Sequence, residues 1–134
     1  MTTEIVYKGE LRCDATHVRS KTLITTDAPV DNKGKGAAFS PSDLLAVALG
    51  TCIITTIGIK TEEWENSFEG THLEVVKTMA QEPRRVGQLQ VDIYPPEGIQ
   101  LDDKQRKIVE NIAHTCPVAK SLHPELKQIV TFHW

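Results

Sequence analysis

The sequence predicts a single α+β domain spanning residues 1–134, and three observations predict it. Two stretches rich in β-branched residues, 4–13 and 20–26, open the chain. A long apolar run, SPSDLLAVALGTCIITTIGI, occupies residues 40–59. Two segments, THLEVVKTMA and GQLQVDIYP, alternate apolar and polar residues with the period of a half-buried strand.

Each element has a local reason. The first two strands straddle the polar stretch DATHVRS, which reads as the turn of a hairpin or meander. DAPVDNKGKGAAF, with Pro29, Gly34 and Gly36, reads as a loop. It contains no Gly-Lys-Ser or Gly-Lys-Thr, which argues against a phosphate cradle. Ser40 can cap the following helix, Pro41 suits its first position, and Asp43 completes a capping-box pattern. From Leu44 onward that helix is apolar on most faces, so it is expected to be surrounded by protein and to turn polar only at KTEEWEN. Strands over 71–81 and 87–95 are joined by the turn PRRVG. LDDKQRKIVENIAHT places Leu101, Ile108 and Ile112 on one helical face, with Asp102 and Asp103 where the helix dipole favours acids. A short helix, VAKSL, follows Cys116-Pro117, and QIVTFHW closes the chain as a strand.

The totals exclude several classes of function. A net charge of -3 with 25% charged residues and no basic stripe argues against a nucleic-acid partner. The run Leu44–Ile59 is shorter than the roughly 20 residues of a spanning helix and holds three threonines, so a membrane role is not expected. The N-terminus has no basic segment leading into an apolar one, so a cytoplasmic location is expected. Among five histidines and three cysteines there is no C-x-x-C or H-x-x-x-H pair, so neither a metal site nor a cofactor is expected.

The cysteines carry the chemistry. Three at wide spacing do not form a secreted disulfide framework; in a reducing compartment such thiols act as nucleophiles, redox groups or ligands. Cys116 precedes a proline and a helix start, where partial positive charge favours a thiolate. Cys52 lies mid-helix among apolar neighbours and needs a partner to become reactive. Cys13, on a strand, reads as a packing residue. His17 reads as a solvated turn residue or a donor near the site, and His114 as a source of local positive charge.

PSDLLAVALGTC at 41–52 together with CPVAKSL at 116–122 resembles the OsmC/Ohr family of osmotically inducible and organic hydroperoxide resistance proteins, as an OsmC-like branch. The order of elements agrees along nearly the whole chain. The resemblance implies an intertwined homodimer in which antiparallel sheets, six-stranded, wrap two long central helices. It implies that Cys52 attacks a peroxide oxygen and becomes a sulfenic acid, that Cys116 resolves it as a disulfide, and that a cellular dithiol reduces the disulfide. Hydroperoxide-reducing members carry a glutamate directly after the proline that opens the helix, paired with an arginine; here that position is Ser42, with Asp43 next. Asp43 lies roughly 13–14 Å from Cys52 along one helix, so any help from it would cross the dimer interface. Arg12 and Arg19 lie in or beside the first hairpin, where the organic-hydroperoxide branch carries its own arginine, though the loop is shorter here and the resemblance does not choose between them; Arg19 joins Asp43 as a candidate partner of the thiolate. The alternative reading is a non-enzymatic stress protein or small-molecule binder that keeps the scaffold and two thiols. Ile53, Ile54, Ile57 and Ile59 read mostly as core, with a pocket for the carbon tail of an organic peroxide as the alternative role for some of them.

Overall fold

A computed structural model describes residues 1–134 and gives an α+β architecture of two three-stranded sheets and three α-helices. The chain divides into two compact units, Met1–Leu45 and Ala46–Trp134.

The first unit is an antiparallel meander of β1 (Thr3–Gly9), β2 (Arg12–His17) and β3 (Leu23–Asp27). The chain reverses earlier than the sequence suggests. Glu10 and Leu11 take φ of 52° and 64° and form a two-residue hairpin turn, so DATH, expected in a turn, lies inside β2. Its polar residues are tolerated because none of the β2 side chains is fully buried: Thr25 donates to Asp14 across the strands at 2.8 Å, while Ile5, Val6 and Tyr7 of β1 stand more than half exposed. After β3 a single 3-10 turn at Val30–Asn32 leads to Gly34, where any Cβ would overlap the Ala28 carbonyl. The loop therefore closes tightly only around glycine.

Helix α1 (Pro41–Lys60) begins with the capping box that its sequence encodes. Asp43 N–H donates to Ser40 Oγ at 3.1 Å and Ser40 N–H to Asp43 Oδ2 at 2.8 Å, satisfying two orphan donors of the first turn. By length and composition α1 would suit a membrane, yet 28% of its apolar window is buried. Only Ala46, Leu49, Gly50, Ile53 and Ile57 are sealed, while Val47, Thr51, Thr55 and Ile59 face outward. The expectation of a helix enclosed on all sides is not met within one chain, because one chain supplies cover for one face only.

In the second unit β4 (His72–Ala80) and β5 (Arg85–Tyr94) form an antiparallel pair, closed by the Arg85 guanidinium donating to the carbonyls of Gln81 and Pro83 at 3.1 and 2.9 Å. Helix α2 (Asp103–Ala113) is capped by Asp102, which exchanges hydrogen bonds with Gln105. Helix α3 (Pro117–Ser121) follows, and β6 (Lys127–Phe132) ends the sheet. Here one pairing departs from the antiparallel expectation, since β6 runs parallel to β5. The two helices between them return the chain to the starting end of the sheet, which is what a parallel pair requires. Leu89, Val91 and Ile93 of β5, with Leu49, Ile53 and Ile57 of α1 and Val109 of α2, are fully buried and form the core of this unit. Gly50 lets α1 approach β4: its Cβ would stand 3.1 Å from Val75.

Candidate thiol site

The core of the second unit brings two sulfurs together. Cys52 sits on the edge of the buried face of α1, half-buried, with its carbonyl accepting the Thr56 hydroxyl at 2.7 Å. Cys116 caps α3: its backbone is extended, its sulfur accepts the Ala119 N–H at 3.4 Å, and its side chain is fully buried. The Cys52 thiol lies near enough to Cys116 to push its acidity, and both thiols are free. No local pattern in the sequence places these residues side by side; the β5 and β6 register and the α2–α3 crossover do so.

The acidity of Cys116 runs against the expectation from its position. Burial pushes the thiol up, the Ala119 N–H pulls it down, and the Cys52 sulfur pushes it up again, leaving it above its ordinary value. The helix end contributes as the sequence suggests, but removal from water outweighs it. No cationic side chain acts on Cys116.

The other candidates lie as follows. Asp43 is engaged in the cap of α1. Arg19 is exposed in the turn after β2, without an ion pair. His17 in the same turn bonds the Ser20 hydroxyl through Nδ1 at 2.6 Å. His114 caps the end of α2 and is exposed, and Cys13 is half-buried in β2 opposite Tyr7 and Thr26. No group of three or more His, Cys, Asp or Glu is arranged to hold a metal. Ile54 borders two cavities, one of about 300 Å³ with Gly58, Trp64 and Phe68 and one of about 190 Å³ with Val47, Leu73 and Val75. Positions two apart stand about 200° apart round a helix, so both cavities flank α1 on the side away from Cys52. Ile53 and Ile57 belong to the core and Ile59 to the surface.

One charged pair is not legible in the sequence. The Asp27 side chain is 1% exposed; its Oδ2 accepts the Ala37 N–H at 3.0 Å and stands 3.5 Å from the Arg12 guanidinium, while Oδ1 is buried without a partner. The only signal would have been an acid ending an alternating strand before Ala-Pro, which is weak. The Ala37 N–H holds the Asp27 carboxyl below the usual carboxylate range, burial opposes it, and Arg12 assists. On the second sheet Asp92 is lowered chiefly by its hydrogen bond with His133, 2.8 Å long. A carboxylate whose native pKa is depressed stabilises the fold above its unfolded pKa of about 3.9 and loses that contribution as pH falls through the native value. Asp27→Asn should therefore melt lower than wild type at pH 7 and show a shallower loss of Tm between about pH 5 and pH 2. Thermal scans across that range check it; parallel curves would contradict it.

A family model for OsmC-like proteins matches residues 34–130. Among solved structures, a candidate osmotic-stress-induced and detoxification-response protein from Psychrobacter arcticus 273-4 is 50% identical, with a TM-score of 0.93 over 99% of this chain and 96% of its own. An organic hydroperoxide resistance protein OsmC from Legionella pneumophila is 14% identical and superposes with a TM-score of 0.77 over 100% of this chain and 98% of its own. The organic hydroperoxide resistance protein OhrB of Bacillus subtilis, also 14% identical, gives 0.70 over 99% and 98%. None of the functionally curated proteins compared by sequence matches.

Proposed function

This chain belongs to the OsmC-like protein family, and on that footing we propose that it reduces organic or inorganic hydroperoxides through a two-cysteine cycle in defence against oxidative stress. The observation that carries the reading is that Cys52, half-buried, lies near enough to the buried Cys116 to act on its thiol. Such a pair suits a division of labour: the accessible sulfur meets the oxidant and the hidden one closes the disulfide.

In the cycle the Cys52 thiolate attacks one peroxide oxygen, the O–O bond breaks, and the alcohol leaves. Cys52 is now a sulfenic acid. Cys116 attacks its sulfur, forming the 52–116 disulfide and releasing water, and a dithiol of a reducing compartment such as the cytoplasm regenerates both thiols. Arg19 and Asp43 stay in this proposal as groups delivered by a second copy of the chain; Arg12, already oriented by Asp27, is the other arginine available for that role. Consumption of cumene hydroperoxide by the purified protein, dependent on dithiothreitol and proportional to protein concentration, is the expected result. Consumption no faster than with dithiothreitol alone would leave the non-enzymatic binder as the better reading.

A homodimer is part of the proposal. It is supported by the outward apolar flank of α1 and by β1, whose Ile5, Val6 and Tyr7 are 65%, 58% and 64% exposed, more apolar surface than a monomer ordinarily leaves to water. Light scattering should give roughly twice the chain mass of 14.9 kDa. Val47→Asp with Ile59→Asp should shift the protein toward monomer, and a wild type that is monomeric at micromolar concentration would contradict the assembly.

A further inference from the structure

We propose that the loop before α1 of one copy docks in the groove of about 300 Å³ at the end of α1 of a second copy, with Phe39 entering the groove and Lys33 and Lys35 facing its glutamates. The inference rests on the homodimer reading above and names two segments that meet in that assembly, which the exposed flank of α1 and β1 leave open.

Three observations carry it. The first is the groove itself, which is built wholly from residues 54–69: Ile54, Gly58, Trp64 and Phe68 give it an apolar lining, and the exposed Glu62 and Glu69 add carboxylates. A Cβ at Gly58 would meet nothing within 4 Å, so this stretch of α1 has no cover from its own chain.

The second is charge. Residues 60–69 carry Glu62, Glu63, Glu65 and Glu69 against Lys60, and they follow the negative end of the α1 dipole. Loop 28–39 carries Lys33 and Lys35 against Asp31. Neither lysine and none of these glutamates has an ion-pair partner in its own chain. Two surfaces of opposite sign are thus left without partners.

The third is that the loop is already formed. Asp27 N–H donates to the Phe39 carbonyl at 3.1 Å, Ala37 N–H to Asp27 Oδ2 at 3.0 Å and Gly36 N–H to the Ala28 carbonyl at 3.2 Å. The backbone is fixed while the Phe39 ring stands more than half exposed, and Lys33 and Lys35 are exposed with it. An aromatic ring held in place on a rigid loop buries a large area on docking at little cost in entropy, as an interface anchor does. Both surfaces belong to one chain, so a two-fold axis makes the contact twice and closes the assembly at two copies.

Charge reversal tests the contact, with the dimer dissociation constant read by sedimentation equilibrium of the full chain. Lys33→Glu with Lys35→Glu, and separately Glu62→Lys with Glu69→Lys, should each weaken the homodimer at least about tenfold, because like charges then face one another. An equimolar mixture of the two variant proteins should form a heterodimer of wild-type strength, since each loop then meets a groove of opposite sign. Homodimers of wild-type strength in both variants, or a mixture that associates no better than its components, would overturn the contact. A second readout leaves every charge in place: p-benzoylphenylalanine substituted for Phe39 should, on irradiation, link to residues 54–69 of the other chain in dimers mixed from isotopically light and heavy protein. Links confined to other segments, or to the same chain, would overturn the contact while leaving the homodimer standing. A wild-type protein that is monomeric at micromolar concentration would instead overturn the homodimer reading, and this contact with it.

Discussion

Cys52→Ser should reduce dithiol-dependent hydroperoxide turnover to the uncatalysed background, whereas Cys13→Ser should leave it at the wild-type level. A serine hydroxyl is not ionised near neutrality and its oxygen has no stable oxidised state to which a sulfenic acid corresponds, so the cycle has no entry point. The side chain is half-buried at the edge of the α1 core face and one atom is exchanged, so the fold should survive the change. Cys116→Ser differs in kind: Cys52 still oxidises, but its sulfenic acid persists and is trapped by dimedone, because the resolving sulfur is missing. Peroxide consumption followed with dithiothreitol, alongside the intact mass of each variant, separates these outcomes. Retained turnover in Cys52→Ser would remove Cys52 from the chemistry.

Leu49→Ala and Ile53→Ala should each destabilise the protein by about 2–5 kcal/mol. Both side chains are 0% exposed, on the face of α1 that meets the core of the second unit. Truncation loses the transfer free energy of the removed methyl groups and leaves a cavity between elements that cannot collapse freely. Val76→Ala, on a β4 side chain 54% exposed, should cost less than about 1 kcal/mol. Urea unfolding with unchanged m-values reads the difference as a shift in midpoint. A Leu49→Ala cost no greater than that of Val76→Ala would show that α1 is not seated as described. These substitutions bear on the thiol site as well, because Ile53 adjoins Cys52 on the helix that carries it.

What was legible in the sequence was local. The Ser40–Asp43 cap, the Asp102–Gln105 start of α2 and the alternation of β4 and β5 depend on neighbours within a few residues, and each forms where its pattern lies. The Glu10–Leu11 reversal was not legible, because left-handed turns are signalled by glycine or asparagine and neither central position has one. DATH looked like a turn because it is polar, yet it belongs to the middle strand of a sheet, where none of its residues is fully buried to demand alternation. The parallel pairing of β6 depends on a crossover whose direction no strand pattern encodes.

The thiol site divides the same way. Position at a helix start suggested that Cys116 would be the more easily ionised sulfur, and the N–H contribution is present. Its depth in the core, set by elements far away in the chain, reverses the net effect. Family resemblance, not periodicity, joined residues 52 and 116, and their nearness is a product of the tertiary fold. The Arg12–Asp27 pair escaped because a buried carboxylate is visible only once the loop reaching Ala37 has folded over it.

The most direct measurement is peptide mapping of the reduced protein after one equivalent of cumene hydroperoxide, quenched by alkylation. The account predicts a peptide in which Cys52 is linked to Cys116, lighter by two hydrogens than the separate fragments, with Cys13 alkylated. Recovery of Cys52 and Cys116 both alkylated after excess peroxide would contradict it.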